Sequence, residues 1–148
     1  MVVEVLKELF KRDLNKLKVE IDLYKNESSM WEIEHSIKNS GGNLCLHIIG
    51  NLKNYIGNGL AQIGYVRQRE FEFTGKFVDR NDLNKHIDET IQIVDQGLSA
   101  ITDKQMGDNF PIKIWEKETG MIFTLIHLHS HLTYHLGQIN YHRRILDK

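Results

Sequence analysis

The chain alternates long segments of helical periodicity with polar connections. Apolar side chains recur every three or four residues in four segments: 2–25, 43–64, 81–101 and 119–146. This spacing places them on one face of a helix, whereas the strict alternation typical of strands is rare in this sequence. The pattern therefore predicts four helices, the second capped by Asn43 and the third by Asp79 or Asn81, with a brief strand over residues 112–115.

The connections indicate how these helices are arranged. The second helix contains Gly50, Gly57 and Gly59, which favours close packing inside the protein. The link over residues 65–80 is long enough for the second and third helices to run parallel, which a tight turn would not allow. We therefore expect a single domain over residues 1–148, an all-α four-helix bundle in up-down-down-up order with long crossover links. In this order the second and fourth helices are antiparallel.

Composition narrows the class of protein. Apolar residues make up 41% and charged residues 26% of 148 residues, as in an ordinary globular domain. The 19 Lys and Arg balance the 20 Asp and Glu, which argues against a nucleic-acid partner. The one cysteine, Cys45, excludes an intrachain disulfide and fits a reducing compartment. Glu4, Lys7 and Glu8 interrupt the apolar run that a signal peptide needs, so we expect a cytoplasmic protein.

One segment is long enough to cross a bilayer. Residues 119–142 contain no Asp, Glu, Lys or Arg, but they include five histidines together with Gln138 and Asn140. So many polar side chains would be costly in hydrocarbon. The segment therefore predicts a buried helix that faces a polar site, and no membrane partner.

Helical geometry sorts the histidines of this segment. At about 100° per residue, five side chains fall within about 40° of one line along the fourth helix: His127, His131, His135, Gln138 and His142. His131 and His135 are one turn apart, so both can reach the same metal ion. Leu132 stands where a zinc peptidase of the HExxH type carries its general base, so proteolysis is not indicated.

A third ligand is available on the second helix. His47 begins a polar seam there that continues through Asn51, and antiparallel packing brings it towards the later half of the fourth helix. We therefore predict that His47, His131 and His135 bind one divalent transition metal, with zinc, nickel, iron and manganese all open. Three imidazoles leave coordination positions for water or substrate, as in a catalytic site.

The remaining polar residues have less specific interpretations. Asn51, Gln138 and His127 are candidates for a supporting role around the ligands, and the roles of His127 and His142 stay open. Histidines that pack in a core and bind nothing are the alternative, which we adopt for three of them: His35, His86 and His129. We interpret Arg67, Arg69 and Glu70 as a surface charge network that Phe71 and Phe73 anchor, Trp31 and Trp115 as closing the ends of the core, and Cys45 as a small buried hydrophobe.

At these residues the sequence resembles a known superfamily. HSHLTYHLGQINYHRRIL and GNLCLHIIGNLKNYIG are similar to the fourth-helix and second-helix motifs of the DinB-like, or YfiT-like, metal-binding four-helix bundles. Together with GYVRQREFEF they resemble one bacterial subfamily of unknown function. The resemblance implies His47, His131 and His135 as metal ligands and a homodimer. It also implies kinship with transferases and isomerases in which the metal activates a low-molecular-weight thiol such as bacillithiol or mycothiol.

Three functions remain open at this point. The first is a metal-dependent transferase or hydrolase, such as a thiol-dependent S-transferase, that acts on a small-molecule substrate. The second is a non-catalytic metal-binding or ligand-binding dimer with a role in stress response. The third is a helical interaction module whose histidines only pack.

Overall fold

Four long helices and one short helix build the protein in this computed structural model, which describes residues 2–148. Their bounds are α1 Val2–Leu23, α2 Gly41–Leu52, α3 Arg69–Thr74, α4 Arg80–Ser99 and α5 Met121–Leu146. The π-helical segment Lys53–Ala61 continues α2, and 3₁₀ turns lie at Glu27–Trp31 and Gln105–Gly107. The all-α fold is therefore as predicted, except that α3 was not foreseen.

Side-chain contacts between helices fix their directions. α1 runs parallel to α5, because its residues pair with α5 residues in the same sequence order: Asp13 with His129, then Glu20 with Arg143. α1 runs antiparallel to α4, because the order is reversed there: Lys18 pairs with Asp88 and Asp22 with Asn84. Gly41 at the start of α2 lies beside His142, and His47 contacts His131, so α2 runs antiparallel to α5. The bundle therefore has the up-down-down-up order that the connection lengths predict.

The apolar faces meet in one continuous core. Each long helix contributes side chains that are fully buried, among them Leu14 and Leu17 of α1, Ile48 of α2, Leu83 and Ile87 of α4, and Leu128 and Leu132 of α5. Trp31 is buried at one end, as expected, whereas the prediction for Trp115 is wrong, because its side chain remains 42% exposed. Within residues 2–148, no helix has the length and apolar character needed to cross a membrane.

The start of α2 differs from the prediction. Ser40, not Asn43, is the N-cap: its extended backbone precedes the helix and its Oγ accepts a hydrogen bond from the Asn43 N–H at 3.1 Å. Asn43 is already one turn inside the helix. Its Nδ2 instead donates to the backbone carbonyls of Glu72 and Gly75, at 3.1 and 2.7 Å. The side chain that resembled a cap therefore ties the 65–80 link to α2.

Two further details of the connections differ from the prediction. The helical segment that was predicted to reach Gly64 stops at Ala61, where Gln62 adopts a left-handed backbone with φ of 54°. Residues 112–115 form no strand and have no pairing partner among residues 2–148, and the chain adopts a left-handed backbone directly after them, at Glu116 with φ of 59°. Only an isolated bridge between Asn109 and Gly120 closes this loop.

Candidate metal centre

Three histidines from two helices converge at the middle of the bundle. His47 Nε2 lies 3.0 Å from His131 Nε2, and His135 Nε2 lies 3.1 Å from the same atom. The three candidate ligand atoms all lie within 4.8 Å of one another, so the group could hold a metal ion. His47 is buried and the other two are partly exposed, so the cluster has a protein-facing and a solvent-facing side. The structure thus brings together the three residues that the sequence singled out.

Hydrogen bonds at the opposite ring nitrogens set the tautomers of two of these rings. His47 Nδ1 donates to Glu72 Oε1 at 3.0 Å, and His135 Nδ1 donates to Gln138 Oε1 at 2.8 Å. Because each of these rings carries its proton on Nδ1, its Nε2 presents a lone pair. Both lone pairs face His131 Nε2, which has at most one proton to share. At least one acceptor is therefore left without a donor inside the cluster, and a cation would satisfy it.

The nitrogen separations also suit a shared ion. Nitrogens at about 2.0–2.1 Å from one metal, at angles between tetrahedral and octahedral, lie about 2.9–3.4 Å apart. Two of the three separations, 3.0 and 3.1 Å, fall in this range, and the third, between His47 and His135, is at most 4.8 Å. The neighbouring Nδ1 bonds are of the kind that orients metal-bound histidines in other proteins. The residues present therefore fit a divalent transition metal in both geometry and donor chemistry.

Burial favours the neutral form of two of the three imidazoles, those of His131 and His135. Burial, followed by the neighbouring imidazoles, lowers the pKa of His131 to about 3. Burial also lowers the pKa of His135, although the hydrogen bond to Gln138 opposes this shift. The burial of Glu72 favours the neutral acid, but hydrogen bonds from His47 and Arg67 outweigh it and hold the Glu72 pKa below its usual range. Neutral imidazole is the form that binds metal ions.

Glu72 is the supporting residue that sequence reasoning missed. It is buried on α3, and Arg67 donates two hydrogen bonds to its carboxylate: Nε to Oε2 at 2.9 Å and Nη2 to Oε1 at 3.0 Å. Gly50 leaves the space that this carboxylate fills, since a Cβ at Gly50 would collide with Glu72 Oε2. The prediction of a surface network around Arg67 is therefore wrong, because its partner is a buried carboxylate. The sequence feature that could have indicated a buried Glu72 is its position between two phenylalanines, Phe71 and Phe73.

The two phenylalanines of this segment differ in role. Phe73 packs its ring 4.8 Å from that of His47, centroid to centroid, and thus holds the imidazole from the side of α3. Phe71 is 47% exposed and lies over Gly75, so the prediction that it anchors the link is wrong. One of the two predicted anchors therefore contacts the cluster directly.

The three candidate supporting residues occupy different positions. Gln138 bonds His135 directly. His127 lies farther out, with its ring 6.4 Å from that of His131 and 4.5 Å from that of Trp115. Asn51 lies one turn beyond His47 on α2, where its Oδ1 is buried and has no hydrogen-bond partner within residues 2–148.

The other histidines lie outside the cluster. The Tyr24 hydroxyl donates to His142 Nδ1 at 2.7 Å, and His142 Nε2 donates to the Glu32 carbonyl at 2.8 Å. His129 bonds the buried carboxylate of Asp13 at 2.8 Å, and its ring packs edge-on against a core phenylalanine. The two exposed histidines each lie beside an acidic residue of their own segment: His35 near Glu34 and His86 near Glu89.

The fold and the cluster together define an all-α helical protein with three histidines that could hold a metal ion. The chain belongs to the DUF1572 family, described as a protein of unknown function, which matches residues 2–148. Its fold is similar to that of a conserved protein of Enterococcus faecalis known from a crystal structure. The TM-score is 0.77 over 99% of this chain and 97% of that chain, at 14% identity. This likeness shows a shared fold, and no curated protein matches the chain in sequence.

Proposed function

We propose that the protein is a metal-dependent enzyme in which His47, His131 and His135 hold one divalent transition metal. The observation that carries this proposal is the convergence of three Nε2 atoms. In two of the three rings, those of His47 and His135, a hydrogen bond holds the proton on Nδ1 and leaves Nε2 free to bind a metal. Three protein ligands leave at least one position for a substrate or water, and this is the pattern of catalytic rather than structural sites. Zinc, nickel, iron and manganese all accept imidazole ligands.

The reaction class that fits best is S-transfer or hydrolysis on a small-molecule substrate. A bound ion would lower the pKa of a thiol or of water and so supply a nucleophile near neutral pH. The resemblance to the DinB-like superfamily favours a low-molecular-weight thiol, and a cytoplasmic location would provide one. Glu72 and Gln138 orient the imidazoles, while the unpartnered Asn51 Oδ1 offers an acceptor one turn from His47.

The hydrogen bonds of Glu72 favour a second function. Within residues 2–148, Glu72 is the carboxylate bonded to the cluster, and it already accepts hydrogen bonds from His47 and from two nitrogens of Arg67. It is therefore committed to positioning and is a poor general acid or base. A non-catalytic metal-binding or ligand-binding dimer with a stress-response role is the corresponding alternative.

Metal analysis of protein purified without a histidine tag tests the site. We expect about one transition-metal ion per chain, lost in His47→Ala and His131→Ala but retained in His129→Ala, which removes an imidazole outside the cluster. Absence of stoichiometric metal after reconstitution with zinc, nickel, iron or manganese would contradict the proposal and leave a module whose histidines only pack.

Calorimetric titration with bacillithiol and mycothiol then separates the two metal-binding functions. A thiol-dependent S-transferase binds one of these thiols in the metal-loaded wild type and not in His131→Ala. A metal-loaded protein that binds neither thiol would exclude the S-transferase and leave hydrolysis and the non-catalytic alternative.

A further inference from the structure

A cavity of about 420 Å³ lies one helical turn from the histidine cluster. Its walls are the link segment 36–39, Leu44 near the start of α2, and α5 between Gln138 and Ile145. The helix rises about 10 Å between these two residues, so the cavity extends about that far along α5. Its volume lies in the range of about 300–1,000 Å³ that is usual for small-molecule sites. The cavity is therefore large enough for a small organic ligand.

Two residues connect this cavity to the cluster. Gln138 lines the cavity, and its Oε1 accepts the hydrogen bond from His135 Nδ1 at 2.8 Å. Because the oxygen of this amide is the acceptor, its Nε2 group remains a donor for a ligand. Leu44 lines another wall, three residues before His47 on the same side of α2. A ligand in the cavity would therefore lie about one turn from two of the three candidate metal ligands.

The lining of the cavity combines apolar surface with one positive charge. Leu44, Tyr141 and Ile145 provide the apolar surface, and the last two are 63% and 50% exposed. Among residues 2–148, Lys38 is the one Asp, Glu, Lys or Arg residue that lines the cavity, and Ser36 adds a hydroxyl group. This lining suits a ligand with an apolar body and a negatively charged group.

The acidic residues nearest in sequence do not line the cavity. Glu32 and Glu34 precede the lining segment but are not part of the walls. Asp147 follows α5, and its carboxylate accepts hydrogen bonds from two backbone N–H groups. Arg144 adds a positive charge, because its guanidinium lies 5.2 Å from the centre of the Tyr141 ring. The groups that a ligand would meet inside the cavity are therefore positive or uncharged.

We propose that this cavity is the substrate-binding part of the metal centre and that it takes a small organic carboxylate with an apolar body. Lys38 holds the carboxylate, Tyr141 and Ile145 contact the apolar body, and Gln138 contacts the end nearest the cluster. A phosphate fits less well, because phosphate sites commonly use the paired donors of arginine and this lining contains no arginine. The role as a substrate site rests on the proposed function, whereas binding of a carboxylate does not.

NMR titration of the full chain with octanoate and octanamide tests this proposal, because the two probes share an apolar chain and differ in charge. We expect octanoate to bind about three- to tenfold more tightly, and Lys38→Met to remove this preference without weakening octanamide. Lys104→Met is the matched control, since Lys104 is an exposed lysine outside the cavity. Absence of octanoate binding, equal affinity for the two probes, or a preference that survives in Lys38→Met would each overturn the proposal.

Tyr141→Ala tests the apolar part of the site. This substitution removes an aromatic wall, so it should weaken octanoate and octanamide alike, by about three- to tenfold. Tyr134→Ala is the matched control, because Tyr134 is a tyrosine of the same helix with similar exposure, 65% against 63%, and lies outside the lining. Equal effects of the two substitutions on probe binding would place the probes elsewhere and overturn the proposal.

Titrations with and without zinc separate this proposal from the proposed function. We expect octanoate to bind the zinc-loaded and metal-free chains with dissociation constants within about twofold, because Lys38 holds its carboxylate. Binding to the zinc-loaded chain alone would place the carboxylate on the ion and overturn the role of Lys38. Failure of the proposed function has a different signature: a chain that takes up no metal but still prefers octanoate keeps the carboxylate site and loses its role in a metal-dependent reaction.

Discussion

Gly50 shows how a residue without a side chain supports a cluster three positions away. His47 and Gly50 share one side of α2, and the space beside Gly50 admits the Glu72 carboxylate that bonds His47 Nδ1. Glycine lowers the intrinsic stability of a helix, so its presence in α2 has a cost. The close approach of a buried carboxylate accounts for that cost.

Gly50→Ala should therefore displace Glu72. We expect it to lower the free energy of unfolding by about 1–3 kcal/mol and to weaken metal binding by about ten- to a hundredfold. Gly137→Ala is the matched control, because it is also a helical glycine but has open space around its Cβ. Chemical denaturation should show no loss of stability in this control, and a gain of up to about 1 kcal/mol. Equal effects of the two substitutions would contradict the supporting role of Gly50.

His142 lies outside the cluster, and its protonation state bears on the stability of the fold. Its Nε2 donates to the Glu32 carbonyl and its Nδ1 accepts from the Tyr24 hydroxyl, so the neutral ring satisfies both bonds. Burial lowers the pKa of His142 below its ordinary value of 6.5, despite the opposing bond to Glu32. The unfolded chain therefore binds more protons than the folded one just below pH 6.5.

This imbalance predicts a pH dependence of stability. The contribution of His142 is complete above pH 6.5 and declines as the pH falls below that value, because folding excludes a proton that the unfolded chain would bind. Denaturation series between pH 7.5 and about pH 5 should show a smaller decline in His142→Gln than in the wild-type chain. His35→Gln, at an exposed position, is the control for loss of an imidazole elsewhere. Parallel declines in the wild-type chain and His142→Gln would refute the assignment.

At the scale of elements, the four long helices could be predicted from the sequence, whereas the short helix α3 could not. Long helices repeat their apolar pattern several times, so α1, α2, α4 and α5 were recognisable, as were the three histidines that share a direction. A helix of six residues has fewer than two turns and no repeat to detect. Its position is set by tertiary bonds, chiefly the Asn43 amide on two carbonyls and Arg67 on Glu72. The Asn43 bonds join residues 29 and 32 positions apart in the sequence, so local spacing does not reveal them.

Two glutamates on α3 provide a matched test of this element. Glu72→Gln keeps the size of the side chain but leaves the half-buried Arg67 without a carboxylate, which should lower the free energy of unfolding by about 1–3 kcal/mol. It should also weaken metal binding by about tenfold or more, because His47 loses a charged acceptor. Glu70→Gln, at an exposed position of the same helix, should change stability by no more than about 0.5 kcal/mol. Denaturation curves and metal titrations of both variants distinguish these outcomes.

At the scale of the whole molecule, core and cluster lie on adjacent sides of α5. Leu125, Leu128, Leu132 and Ile139 are completely buried among the other helices, whereas the neighbouring histidines retain some exposure. Apolar burial along four long helices stabilises the fold, because each of them contributes fully buried side chains to one core. The cluster is thus attached to a scaffold that does not depend on it. Small zinc-dependent domains behave differently, because they unfold without their metal.

This separation predicts how the protein responds to metal removal. If the ion serves chemistry, chelation should lower the melting temperature by only about 5–10 °C, the loss expected for a ligand held at about a hundred times its dissociation constant. His131→Ala should remove tight metal binding at a small cost in stability, whereas truncation of the adjacent core residue, Leu132→Ala, should cost about 2–5 kcal/mol. Calorimetric melts with and without chelator measure both effects. Complete loss of cooperative unfolding on chelation would identify a structural ion and exclude the proposed enzyme, because a catalytic ion must leave positions open to its substrate.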